Sequence, residues 1–431
     1  MPSLAAWVFF PLLGLAGQAT DDFGPVSMGS SVFESGWNAY GTRPVAGFAT
    51  DAPAKSEQAP LANGPAWFPG GGRWWMESEF VLAWIGGANS PPLLTAAPFG
   101  QPNNSLAAVG APGTMVLAGG AMANDGMRPG LRIGTGYWFN DEQTVGVQGS
   151  FLMVGTQADT VSAGGTTANS PLIISRPYVD QASGSQSGAP LNYPGALQGG
   201  AVVSSKGGYL YGADAAARAN LFRWFGPEGS TSPDRSFRLD GTLGYQFVHY
   251  SDGVGVMQSS NVLPAASFFG VDALRSVERF TASNLYNGGA AGLSADWWSG
   301  RWHLVTAGKI GLGGLYRQAS ITGDTVITVR GSQVNVPGAV LARPTNMAEY
   351  WACSLAWVPQ ADFKVDYRVT ERIILSAGYT VLVLPEVWRA AEQIDTVVGL
   401  SQTGAATRPV FQDNRSTLWM QGITLGLRLD F

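Results

Sequence analysis

From Trp74 onward the hydrophobic positions of the chain recur every second residue. Trp74, Met76, Phe80, Leu82 and Trp84 share one parity, and Glu77 and Glu79 stand on the other. Leu131, Ile133 and Tyr137 oppose Arg132, Gly134 and Gly136; after "FNDEQ", Val145, Val147, Phe151 and Met153 oppose Gly146, Gln148 and Ser150. A period of two is that of a strand, and these two blocks predict a hairpin with a tight polar turn. The pattern repeats from Tyr209 to Leu221 against Asp214, Arg218 and Asn220, and from Phe237 to Phe247 against Arg238, Asp240, Thr242 and Gln246. Beyond the Ser299 and Gly300 turn, Trp302, Leu304, Ile310 and Leu312 oppose His303 and Lys309. "ADFKVDYRVTERIILSAGYTVLV" predicts a further hairpin, with Asp362, Lys364, Asp366 and Arg368 on the polar side of its first strand. The last block, "QGITLGLRLDF", sets Ile423, Leu425, Leu427, Leu429 and Phe431 on one parity.

Counting gives about ten strands, with short turns alternating with segments of roughly 30 to 50 residues. That alternation predicts an all-β fold, an antiparallel up-and-down transmembrane β-barrel of about ten strands, or 12 or more, with short periplasmic turns and long outer loops. The apolar parity then faces lipid and the polar parity the lumen. The candidate lumen charges are Glu77, Glu79, Arg132, Arg218, Arg238, Asp240, Lys309, Asp366 and Arg368. In a ten-stranded lumen they would pair into a polar plug; in a wider one they would be solvated separately. Trp74, Trp84, Tyr137, Trp138, Trp297, Trp298, Trp302, Trp388 and Trp419 lie near strand ends and are expected at the lipid headgroup level. On the terminal strand, Leu425→Arg is expected to cost about 2–4 kcal/mol, and the lumenal Thr424→Arg less.

The residues ahead of the barrel read differently. An apolar run from Leu4 to Leu15, then the small residues Gly17 and Ala19, predicts a signal peptide over residues 1–19. Residues 20–72 are a Gly/Ala/Pro-rich spacer, and 73–431 the barrel. No other segment is apolar for long enough to make a spanning helix. With 13% charged residues and a net charge of −5 there is no basic field, so nucleic acid is not an expected partner. Cys353 stands alone, and His249 and His303 are the two histidines, so neither an intramolecular disulfide nor a multi-histidine metal site is expected. "FVHYSDG" places His249, Ser251 and Asp252 at the outer rim, where an acid and a histidine could serve hydrolysis. There is no GxSxG elbow, so no catalytic residue, enzyme activity, metal or cofactor is assigned.

Several blocks carry a resemblance. "RPGLRIGTGYWFNDEQTVGVQGSF", "PGTMVLAGG", "NLYNGGAAGL" and above all "GYTVLVLPEVWRAAEQID", "GLSQTGAATRPVF" and "LWMQGITLGLRLDF" resemble the BBP7-type family of bacterial beta-barrel porins. The likeness runs from about Trp74 to Phe431; where this chain has Ala390 and Ala391 the family usually has Pro-Gly. It implies a bacterial outer-membrane protein after signal cleavage, with the lipid bilayer and the barrel-assembly machinery as partners. Leu425, Leu427, Leu429 and Phe431 resemble the terminal signal that machinery reads. The resemblance leaves two functions: a narrow or gated passive channel for small polar solutes, or a plugged structural or adhesion barrel whose outer loops bind partners or a surface layer. Fold alone does not choose between them, and no loop partner is named by the sequence.

Overall fold

In the computed structural model, residues 73–430 are described apart from 102–105, 166–170, 226–234, 267–269, 371 and 400–406. The expected signal peptide, the spacer and Phe431 lie outside the described residues. The alternating blocks form ten long strands: β1 (Trp74–Ile85), β2 (Met127–Trp138), β3 (Val145–Val154), β4 (Leu197–Phe225), β5 (Arg235–Val262), β6 (Val271–Ser299), β7 (Trp302–Val329), β8 (Glu349–Arg368), β9 (Ile373–Val387) and β10 (Ser416–Asp430). Each pairs antiparallel with the strand before and after it in the chain. β1 also pairs with β10, from Trp75 opposite Asp430 to Ile85 opposite Met420, so the ring closes. Closure satisfies the edge donors and acceptors that an open sheet would expose. Two short strands, Gln157–Gly164 on β4 and Ser332–Pro337 on β7, extend the sheet to twelve.

The turns 139–144, 300–301 and 369–372 fall at one end of the ring, together with Trp74 and Asp430; the connections 86–126, 155–196 and 388–415 fall at the other. The expected alternation with long segments fails twice, because β5 and β6 are joined by residues 263–270 alone and β7 and β8 by 330–348. β4, β5, β6 and β7 are 28 or 29 residues long, and their upper parts absorb the sequence assigned to a loop. Alternation persists there on the inner face, as in Tyr250, Asp252, Val254 and Val256. The outer face carries Ser251, Gly253 and Gly255 instead of apolar residues, which hid the strand.

Three of the long connections supply a second, five-stranded sheet, made of Leu94–Pro98, Met115–Ala118, Leu172–Asp180, Gln186–Asn192 and Val397–Val398. Its Leu94, Ala96 and Ile174 join Val203, Val254, Phe280 and Ile321 from the inner face of β4–β7 in one buried core. The long strands thus form a wall that this cap packs against.

Parity explains two departures from the aromatic reading. Neighbours on a strand face opposite ways, so Tyr137 and Trp297 are exposed on the outer face while Trp138 and Trp298 are buried inside. Trp388, 2% exposed, lies in the cap core with its ring edge-on to Phe411. Thr424 is also fully buried, so an arginine there meets a packed interior rather than an open lumen, and burial removes the reason for expecting Thr424→Arg to be the milder change. Inside the ring, Tyr286 lies across Gly288 and Gly311, where a Cβ on Gly311 would fall 2.5 Å from Tyr286 Oη. Gly308, three positions nearer the short turns and on the outer face of the same strand, has open space where its Cβ would stand. Gly311→Val is therefore expected to destabilise the fold by about 1–3 kcal/mol through overpacking, with Gly308→Val far milder, as a denaturant titration of the refolded protein would measure.

Candidate functional site

The interior of the ring is layered. Nearest the short turns is a charged chamber, enclosing a cavity of about 150 Å3 lined by Glu77, Arg132, Asp214, Lys309, Asp362 and Lys364 among others. Its groups are paired. Arg132 bonds both Glu79 and Asp362, and Lys364 Nζ reaches Glu77 at 2.8 Å and Glu79 at 3.3 Å. Lys309 Nζ lies 2.8 Å from Asp214. Arg218 spans Asp240 at 2.6 Å and Asp296 at 3.0 Å, while Arg238 reaches Asp240 at 2.7 Å and covers the Trp138 ring at 4.1 Å. His303 lies between two carboxylates, with Nδ1 2.9 Å from Asp366 and Nε2 3.0 Å from Asp296; its ring stacks on Trp298 at 3.5 Å. Arg368 sits over the other part of that arrangement, 5.2 Å from the Trp298 ring.

All nine candidate lumen charges therefore reach the interior. Asp214, Asp362, Lys364, Asp296 and His303 complete the networks. The first three already stood on the polar parity in the sequence, and His303 opposed Trp302; Asp296, beside the Trp297 and Trp298 pair, offered no such contrast.

Above the chamber the inner face changes character. β1 shows the change, running Glu77, Glu79, then Val81, Ala83 and Ile85 on one parity. At this level nine of the ten strands contribute apolar side chains to a continuous buried layer: Val81, Leu152, Leu210, Val248, Tyr286, Leu315, Val358, Leu384 and Leu418 are examples, one from each. Among them Val81, Leu210, Tyr286, Leu315, Val358 and Leu384 have no accessible surface. The reading of the inner parity as polar on every strand is corrected here: it is polar in the lower half, apolar at mid-height, and polar above that only at positions such as Asp252, Glu278 and Asn284. The reason is that the upper inner face meets protein and not water.

The third level is a latch made by the connection between β9 and β10. Arg389 Nε pairs with Asp252 of β5 at 2.6 Å and its Nη1 donates to the Gly86 carbonyl at 2.9 Å; both ionic groups are buried. The Ala390 N–H donates to the second Asp252 oxygen at 2.8 Å. Asn284 of β6 clasps the backbone of Trp388, donating to its carbonyl and accepting from its N–H, each at 2.8 Å. Arg317 of β7 donates to the Glu386 carbonyl at 2.7 Å. The Trp388 indole donates to Asp413, whose carboxyl is held below its usual range by bonding to Arg415. Ala390 and Ala391, standing in place of Pro-Gly, begin a short 3-10 helix. The blocks containing "NLYNGG" and "LPEVWRA" thus meet in space; their distance in sequence gave no sign of it.

The HxSD residues do not converge. Asp252 faces inward to Arg389, whereas His249 faces outward, stacked at 6.2 Å on Tyr211 and 3.0 Å from Ser283 Oγ. Among the described residues no group of three or more His, Cys, Asp or Glu side chains is placed to hold a metal ion.

The profile of the family described as Putative beta barrel porin-7 (BBP7) matches residues 75–431. Among solved structures the chain is similar to the outer membrane protease OmpT of Escherichia coli, at 10% identity and a TM-score of 0.38, covering 83% of this chain and 97% of that one. It is also similar to a Pseudomonas aeruginosa FadL homologue, at 10% identity and a TM-score of 0.19, covering 83% and 90%. The Pseudomonas putida toluene transporter TodX matches at 8% identity and a TM-score of 0.17, with the same coverages. No curated protein matches.

Replacing Arg389 by Leu leaves Asp252 buried without its cation and should cost about 3–5 kcal/mol, against about 0–1 for the exposed Arg415→Ala. The check is hydrogen exchange across 388–399 and 407–415, which should accelerate in the first variant and stay unchanged in the second.

Proposed function

The chain belongs to the Putative beta barrel porin-7 family, and from that membership and its packed interior we propose an outer-membrane barrel that is closed to solutes and acts through what its capped mouth presents outside. The short turns then lie in the periplasm and the exposed apolar face, with Leu243, Leu355 and Leu425, meets lipid. The same reading assigns Leu425, Leu427, Leu429 and Phe431 to recognition by the assembly machinery.

One observation carries the choice of a closed barrel: the buried apolar layer at mid-height. Exposing a core aliphatic or aromatic side chain costs about 1.5–3 kcal/mol, so wetting a layer of this size costs on the order of 20 kcal/mol. That cost weighs against a pathway for polar solutes through the resting structure. Ten strands also give a lumen that side chains can fill, well short of the roughly 16 that leave an aqueous channel. The reading is thus of a structural or adhesion barrel whose cap contacts a partner or surface layer. A gated channel is the second reading, favoured by the charged chamber below the layer and by the polar character of the latch above it. Opening would require the layer to part as well as the latch to release.

Purified full-length protein, refolded and added to a planar bilayer at defined salt, should give no stepwise current. Steady, reproducible steps from protein shown to be folded would replace the closed barrel with the channel. Placement in the membrane has its own check: Leu425→Arg should lower stability in lipid vesicles by about 2–4 kcal/mol, and an unchanged urea midpoint would mean that this face does not meet lipid.

A further inference from the structure

The outer face of the β4–β6 wall carries a groove that neither the plug nor the cap uses. Pair registers place its residues in rows. Tyr211, His249 and Leu285 form one row across β4, β5 and β6; Lys206, Gly253 and Thr281 form a row nearer the cap, followed by Ser204, Gly255 and Arg279. Between the two levels Tyr209 stacks on Tyr211 at 5.5 Å. Two contiguous hollows, of about 480 and 280 Å3, share Lys206, Gly253 and Thr281 in their walls. Lys206 and Arg279 are exposed, one on each strand flanking β5, and neither has an ion pair or hydrogen bond among the described residues.

The floor is informative. Gly253 and Gly255 have ordinary strand conformation, and a Cβ on either would meet nothing nearer than 3.5 Å. The sheet itself does not require glycine at these positions, and glycine weakens a strand. What the two glycines leave is an uncovered strip of backbone between two cations. Strands on either side of β5 are about 10 Å apart, a distance over which a lysine and an arginine can converge on one anionic group resting on that strip.

The position selects the anion. Beneath the groove, the same outer face continues through the exposed Tyr209 and half-buried Tyr211 to Tyr245 and Leu243, both exposed. Amphipathic rings mark the level where hydrocarbon gives way to headgroups. We propose that this groove binds the anionic, phosphorylated headgroup of a membrane lipid, with Lys206 and Arg279 pairing with phosphate and the acyl chains descending over the tyrosines. The site rests on the membrane placement under Proposed function, but is independent of whether the barrel conducts.

The test uses the full chain, refolded in detergent and incubated with diphosphoryl lipid A, its dephosphorylated form or phosphatidylcholine, with retained lipid counted by native mass spectrometry. Wild type should retain diphosphoryl lipid A in preference to its dephosphorylated form and to zwitterionic phosphatidylcholine. The double variant Lys206→Gln with Arg279→Gln should lose about thirtyfold in retention, the size expected for two cations at an anionic lipid surface. Gly253→Leu, which fills the floor and keeps both cations, should also lose it. A mobility shift between unheated and boiled samples establishes that each variant is folded. Equal retention of all three lipids, or undiminished retention by both variants, overturns the proposal. Displacement by millimolar inorganic phosphate with no effect of Gly253→Leu also overturns it, as a phosphate site without a lipid. Failure of the wild type to insert into vesicles would instead remove the membrane placement itself, a result separable from loss of lipid preference by an inserted protein.

Discussion

A strand has two faces, and a sheet closed on itself encloses one of them. Every other constraint in this molecule follows from that. Once β1 pairs with β10, each alternate residue of ten strands is committed to a space that side chains must fill, and each residue between them to the outside. A slip of one residue in any pair would turn charged groups outward and apolar ones inward along that strand. The networks of Arg132, Arg218 and Arg238 hold the lower interior to its register, because each bridges strands that only one alignment brings together.

The interior is divided by chemistry along its axis. Carboxylates and cations near the short turns satisfy one another, since an unpaired charge in so narrow a space would be costly. Higher up the inner face is apolar, interrupted by the buried Arg128 opposite Ala83, until Asp252 and Arg389. The apolar layer separates two polar regions that have no direct contact. This arrangement makes the cap and the lower chamber mechanically distinct: the cap is bound to β4–β7, while the chamber draws on strands from all round the ring.

Period-two patterning made most of this legible in advance. Parity alone sent Glu77, Arg132, Asp240 and Lys309 to the interior and Leu425 to the outside, and closure into about ten strands followed from the turn spacing. What escaped was whatever depends on residues far apart in sequence. Val81 and Ile85 look like ordinary strand residues, and only the simultaneous presence of Leu210, Leu315 and Leu384 at the same height makes them a seal. The bond between Asn284 and Trp388 joins segments separated by 104 positions. The upper halves of β4–β7 were hidden for a different reason: their outer face has lost its apolar residues, and one-sided alternation with glycine and serine looks like a loop. The five-stranded cap drew its strands from segments with no sustained period at all.

The unequal lengths of the strands give the molecule a front and a back. At about 3.3 Å per residue, β4 to β7 run to roughly 90 Å, whereas β2 and β3 end near 35–40 Å. A tall screen therefore stands behind the cap on one flank, and the opposite flank is low. Any large body approaching from the side of the screen is held off before it touches the cap, and one approaching across the short strands is not. Copies of this protein embedded in a sheet of lipid would each offer their cap along one compass bearing, so that rotation about the membrane normal, ordinarily irrelevant to a cylindrical protein, decides whether an encounter succeeds.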